Sequence, residues 1–149
     1  MTPEQLRAEG WTVREIGGFV GHIGPFWRHV GEQGTRYGFI ADERHENMLG
    51  VVQGGMLMTF ADRALGLEAW GVMGDRPSVT IQCNTQFISS APIGAFVTIA
   101  PRVVRAMRSL IFMEGTMFSG DAVVAHVQGT WKLVGPRPVK FQTAQGDAP

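Results

Sequence analysis

The stretch Asn47 to Trp70, NMLGVVQGGMLMTFADRALGLEAW, places a glycine-rich turn before a run that is apolar in almost every direction yet carries an acid, Asp62, two turns in. A helix with that much apolar surface has to be buried by the rest of the chain. An ionisable group within it is costly unless it is paired, solvated or used. These two demands narrow the folds open to a chain of 149 residues, which is long enough for one domain with a real core.

At 100° per residue, Gly55, Thr59, Asp62, Gly66 and Ala69 share one narrow stripe. The bulky Met56, Leu57, Met58, Phe60, Leu65 and Leu67 point elsewhere. The pattern predicts a helix from about Gly54 to Gly71, with a bulky surface to lay on a sheet and a small-residue groove holding a carboxylate. Glu68 falls in the bulky sector, and the pattern offers no reason for it.

The flanking segments predict that sheet. TRYGFIA (Thr35 to Ala41) reads as a strand and Asp42 to Glu46 as a polar turn. After Pro77, SVTIQCNTQFI alternates, with Val79, Ile81, Cys83, Thr85 and Phe87 on one side of a half-buried strand. AFVTIAPRVV, LIFMEGTMF and AVVAHVQGTWKLV follow as three more strands, the last with Trp131 and Leu133 inward and His126 outward. Short links between successive strands imply antiparallel pairing. One apolar helix with such a meander is best buried by curling the sheet around it, an α+β architecture. Thr2 and Pro3 predict a short N-terminal helix. Gly10 to Val30 reads as irregular, with Pro25-Phe26-Trp27 covering a neighbour or roofing a pocket. The expected division is an extension (1–34), one domain (35–134) and a flexible tail (135–149).

Bulk properties exclude several partners. Lys plus Arg equals Asp plus Glu at 13 each, so no net field favours nucleic acid or an acidic membrane. Apolar runs are interrupted well short of the ~20 residues of a membrane span. The single Cys83 cannot form an internal disulfide and reads as a small core residue, and nothing at the N-terminus resembles a signal peptide, so a cytoplasmic protein is expected. His22, His29 and His126 lack metal-ligand spacing; neither metal nor cofactor is expected.

The spacing of His45, Asn47, Gly50, Gly54 and Gly55, then Asp62, then VTIQCNTQF after a proline, resembles the hotdog-fold acyl-coenzyme A thioesterases, in the branch of the phenylacetate-pathway (PaaI-like) enzymes. The resemblance runs from about Thr35 to Val134. It implies a curved antiparallel sheet wrapped around one long central helix. It also implies a homodimer, often paired into a homotetramer, in which the Asp-bearing helix of one subunit faces the Asn-Gly loop of the other.

Thioester hydrolysis needs a carbonyl polariser and either a base for water or a carboxylate nucleophile. Helix N-terminal N–H groups are unpaired and sit at the positive end of the dipole, and Gly54 and Gly55 present them without side-chain obstruction. By resemblance, Gly54 N–H holds the thioester oxygen, Asn47 positions the carbonyl or water, and Asp62 acts as nucleophile or base, two roles that the residues leave open. Thr80 matches a hydroxyl position of the family's strand and assists Asp62 or the water. Arg105 and Arg108, with Arg102, lie where the family often binds the nucleotide end of coenzyme A. Gln53 stands where the family commonly has His; it can orient a substrate but cannot carry a proton at neutral pH.

Each residue also has a plainer use: Asp62 as an ion-pair partner of an arginine, the glycines as packing space, Asn47 as a turn residue, the arginines as a solvated rim. His45 is expected to stabilise its loop. The expected activity is hydrolysis of medium-chain or aryl acyl-CoA. The alternatives are a non-catalytic acyl-CoA binder or sensor, if Gln53 has disabled the site, and a hotdog dehydratase, which needs an acid-base pair that Gln53 does not supply.

Overall fold

The computed structural model describes residues 1–13 and 16–135. Its elements run α1 (Pro3–Ala8), β1 (Thr12–Val13), α2 (Gly18–Ile23), β2 (Trp27–Gly31), β3 (Gly34–Ile40), a 3₁₀ turn (Glu43–His45), α3 (Gly54–Val72), β4 (Ser78–Phe87), β5 (Phe96–Ile99), β6 (Arg102–Ala106), β7 (Leu110–Ser119) and β8 (Ala122–Leu133). The strands form one antiparallel sheet in the order β1-β2-β3-β5-β7-β8-β4, with β6 pairing β7 beyond the end of β5. The tail from 136 onward lies outside the described residues.

The expected central helix is there. Met56, Leu57, Phe60, Ala61, Ala64, Leu65 and Ala69 bury one side of α3 against the sheet. Phe60 packs edge-on against Phe39 of β3 at 4.8 Å and tilts against Phe26 at 5.4 Å between ring centroids. Phe26 thus completes the core from the N-terminal side.

Two expectations on elements need correcting. Residues 10–30 are not irregular throughout. Trp27↔Gly38 and His29↔Arg36 pairing makes β2 and β3 a hairpin, and Trp27 joins Leu6 and Trp11 in a second buried cluster. Cross-strand packing outweighs the local glycine and proline signals there. The single strand expected over AFVTIAPRVV is two. Pro101 has no N–H for a ladder, so β5 stays beside β3 and the end of β7, while β6 pairs with the first half of β7.

β4 is an edge strand. Cys83 and Thr85 are half-buried as expected, but Val79, Ile81 and Phe87 are about half exposed, at 47%, 59% and 51%. A register shift between Thr80 and Gln82 bulges the strand, the usual device for re-aiming a side chain at an edge.

The structure supplies a partner for Glu68: the buried Tyr37 hydroxyl donates to its Oε2 at 3.2 Å. Burial, followed by the Glu68 charge, pushes the Tyr37 phenol up to about 12. A phenol ionises near 10 in an unfolded chain, so folding favours its neutral form. The contribution is intact below about pH 10 and is lost as pH rises through about 12. Tyr37 is the only tyrosine, so an ultraviolet phenolate titration reads it directly. Glu68→Gln should move that titration to lower pH; an unmoved curve would contradict the pairing.

Candidate functional site

The glycine turn is built by its own side chains. Asn47 Oδ1 accepts from Leu49 N–H at 2.8 Å and from Val51 N–H at 3.4 Å, and Asn47 N–H donates to Val51 O. Gly50, at φ 77°, takes the left-handed position that closes this turn. With its oxygen held by backbone donors, the Asn47 amide NH₂ is directed away from the turn.

His45 anchors the loop from beneath and is 2% exposed. Its Nδ1 accepts from Asp42 N–H, so Nε2 carries the proton and donates to Ile23 O at 2.8 Å. Arg44 adds hydrogen bonds to the carbonyls of His22 and Gly24. The loop is thereby tied to the end of α2, which bears out the stabilising role expected of His45.

Gln53 is the N-cap of α3, and its Oε1 accepts from Gly54 N–H at 3.1 Å. Gly54 and Gly55 follow as the first two helical residues, whose N–H groups have no intrahelical acceptor. Phe87 of β4 lies over Gly54; a Cβ built there would be 3.2 Å from its ring.

Asp62 sits eight residues further along α3, half-buried in the small-residue stripe. Thr80 Oγ1 donates to its Oδ1 at 2.6 Å, so the bulge in β4 joins strand hydroxyl and helix acid. The two border a groove of about 110 Å³ with Gly66, Leu67, Trp70, Ser78 and Trp131. Cys83, on the same strand, has its thiol pushed up to about 11, by burial and then by the Asp62 charge.

A cavity of about 950 Å³ adjoins this groove and shares Arg63, Leu67 and Trp70 with it. Val13, Val20 and Phe26 wall it on the N-terminal side. Residues read as an extension therefore form one side of a pocket. Its volume is at the top of the roughly 300–1,000 Å³ of small-molecule sites.

Asp62 and Thr80 are brought together; Asn47, Gln53, Gly54 and Gly55 form a separate cluster at the start of the helix. Eight residues of helix separate Gly54 from Asp62 by about 12 Å and roughly 80° of rotation. Arg105 and Arg108 are exposed at the β6–β7 end, while Arg102 is bonded to Glu114. Ala106, Ile111, Trp131 and Thr80 pair in one row across β6, β7, β8 and β4. Arg105 thus lies at the Thr80 end of the sheet, three strand spacings or about 14 Å away.

Alternation along β8 puts Trp131 inward. It is 1% exposed, yet its indole N–H has no acceptor among the described residues. A buried donor left unmade costs about 1–3 kcal/mol. Alternation reveals which face a residue takes, not whether its polar atom is satisfied. No cluster of three or more potential metal ligands occurs among the described residues, and no helix among them is long and apolar enough to cross a membrane.

A curved antiparallel sheet around one buried helix is the hotdog fold. The family model of the thioesterase superfamily matches residues 49–126, and the chain belongs to that superfamily. It is 29% identical over 113 residues to the Pseudomonas aeruginosa protein named "Putative esterase PA0474", covering 74% of this chain and 84% of that one. Conserved protein PA5202 of the same organism superposes with a TM-score of 0.65 at 25% identity, over 90% of this chain and 96% of the other. Streptococcus mutans smu.793, solved bound to acetyl CoA, gives 0.61 at 23% identity over 68% and 82%. The E. coli PaaI protein, from the phenylacetic acid degradation operon, gives 0.62 at 15% identity over 90% and 86%.

Proposed function

We propose that the protein hydrolyses acyl-CoA thioesters, with Asp62 as nucleophile or general base and Gly54 N–H as the oxyanion donor. The hydrogen bond from Thr80 to Asp62 carries this reading. It orients one carboxylate oxygen and leaves the other for water or a thioester carbon, inside a groove that borders a cavity of acyl size across Arg63, Leu67 and Trp70. The acetyl CoA held by the S. mutans relative supports the ligand class.

Gln53 fits the oxyanion role of its neighbour. Its Oε1 accepts from Gly54 N–H, a place that a thioester oxygen would take over, and its exposed side chain is free to swing aside. Asn47 presents its NH₂ to the carbonyl or water, Gly55 leaves room for the substrate, and Arg105 and Arg108 meet the phosphates of coenzyme A.

The distance between Gly54 and Asp62 implies that two subunits combine, the helix of one meeting the loop of the other. The exposed Val79, Ile81 and Phe87 on an unpaired strand edge, with Met48 and Leu49 beside the glycine turn, provide an apolar surface for a second copy. On this reading the working form is a homodimer or a dimer of dimers.

The larger cavity takes the body of a medium-chain or aryl acyl group, which a thiol-release assay over a panel of acyl-CoAs would show. A Cβ on Gly71, on the same face of α3 as Leu67, meets no atom within 4 Å, and a side chain there suits a helix better than glycine. Gly71→Leu should therefore fold normally and cut the turnover of bulky acyl-CoAs relative to acetyl-CoA by about tenfold or more, on the scale of a few methylenes of pocket. No release from any member of the panel would favour the binder alternative.

A further inference from the structure

The larger cavity carries more charge than a hydrocarbon chain needs. Val20, Phe26, Leu67 and Trp70 give it apolar wall, but Arg28, Arg44 and Arg63 line it too, against one carboxylate among the described residues, Asp75. The three guanidinium groups are placed differently. Arg44 is bonded to Asp42 and to the carbonyls of His22 and Gly24, which makes it a fixed part of the wall. Arg63 stands where the cavity meets the groove, next to Asp62 in the chain, so the two bring opposite charges to that junction. Arg28 is exposed and makes no ion pair with a described carboxylate. It is the direct cross-strand partner of Tyr37, and such partners have their side chains side by side on one face. The Tyr37 hydroxyl in turn reaches Glu68, which does not itself line the cavity. Arg28 therefore stands near the level of Glu68, six residues or about 9 Å along α3 from Asp62.

We propose that Arg28 is a specificity-determining residue that binds a carboxylate at the far end of the acyl group. The preferred substrates are then mono-CoA thioesters of dicarboxylic acids long enough to reach from Asp62 to Arg28. The proposal rests on the hydrolase reading and extends it to a substrate class. A guanidinium fork matches a carboxylate with two charge-assisted hydrogen bonds, whereas a methyl end offers it no acceptor. The apolar wall takes the methylenes between the two ends. A short diacid would leave its carboxylate at the junction, where the Asp62 charge opposes that of Arg63 and the net attraction is small.

The measurement is kcat/KM for octanedioyl-CoA against octanoyl-CoA, and for succinyl-CoA against butanoyl-CoA, with calorimetric binding of all four thioesters in the Asp62→Asn background. In each ratio the contribution of coenzyme A cancels. The wild-type protein should prefer octanedioyl-CoA by about tenfold or more, the worth of a hydrogen bond to a charged group, and succinyl-CoA should show no such advantage. Arg28→Gln should bring the octanedioyl ratio close to one, and Arg28→Lys, which keeps the charge without the fork, should retain part of the preference. Raising the salt from about 0.1 M to about 1 M should shrink the wild-type ratio, because an exposed charge pair is screened. Equal octanedioyl ratios in the wild-type protein and Arg28→Gln would overturn the proposal. So would an equal loss on both eight-carbon substrates in Arg28→Gln, since Arg28 would then serve coenzyme A or the fold. Hydrolysis without carboxylate preference refutes the role of Arg28 alone. A binding preference for octanedioyl-CoA without hydrolysis by the wild-type protein refutes the hydrolase reading and supports the Arg28 site.

Discussion

Asp62→Asn should lower kcat for acyl-CoA hydrolysis by about 10²–10⁴-fold, the usual loss on removing an acid-base group, and more if the carboxylate is a nucleophile. The substitution preserves shape and still offers an oxygen to the Thr80 hydroxyl, so the hydrogen bond at 2.6 Å has a replacement and the fold should melt at nearly the same temperature. What disappears is the negative charge. Cys83 reports that loss independently of turnover: its thiol is pushed up to about 11 by burial and then by Asp62, so the variant should ionise at lower pH and react faster with a thiol reagent in mildly alkaline buffer. Undiminished hydrolysis in a variant with faster thiol reaction would show that the charge is gone and was never catalytic.

The helix and its carboxylate were legible in the sequence because both are one-dimensional signals. Periodicity separated Phe60 and Leu65 from Asp62 and Gly66, and the structure keeps that division. Thr80 was reachable only through family resemblance, because its meeting with Asp62 depends on a bulge at Ile81 that no alternation pattern encodes. The exposure of Val79, Ile81 and Phe87 was hidden for a related reason. An apolar strand left exposed at a sheet edge has the same period as one facing its own core. Phe26 lines a pocket, one of the two uses expected of it, but its packing on Phe39 and Phe60, like that of Trp27 on Leu6 and Trp11, is set by long-range strand order that local residues do not reveal. Glu68 needed Tyr37, thirty-one residues away in sequence.

Gly54 and Asp62 are about 12 Å apart along one helix, too far to serve one carbonyl from a single chain, and this spacing yields a test that inactive variants alone can perform. Gly54→Pro removes the expected oxyanion N–H at a position where proline is otherwise suited. It is the first helical residue, and Gln53 before it already has φ −61° and ψ 134°, the extended conformation that a following proline requires. Its Cβ would stand 3.2 Å from the ring of Phe87, which is half-exposed and can give way. Alone, Gly54→Pro should cost about 10²–10³-fold in kcat. Mixed with Asp62→Asn chains during refolding or co-expression, it should recover activity. In a mixed dimer, Asp62 of the Gly54→Pro chain faces the partner's Gly54, an intact pair, while the other site has lost both. Random pairing makes half the dimers mixed with one working site in two, so activity should return to about a quarter of wild type in a symmetric assembly. Each site built within one chain would lack one group in every combination, and the mixture would stay as inactive as its components.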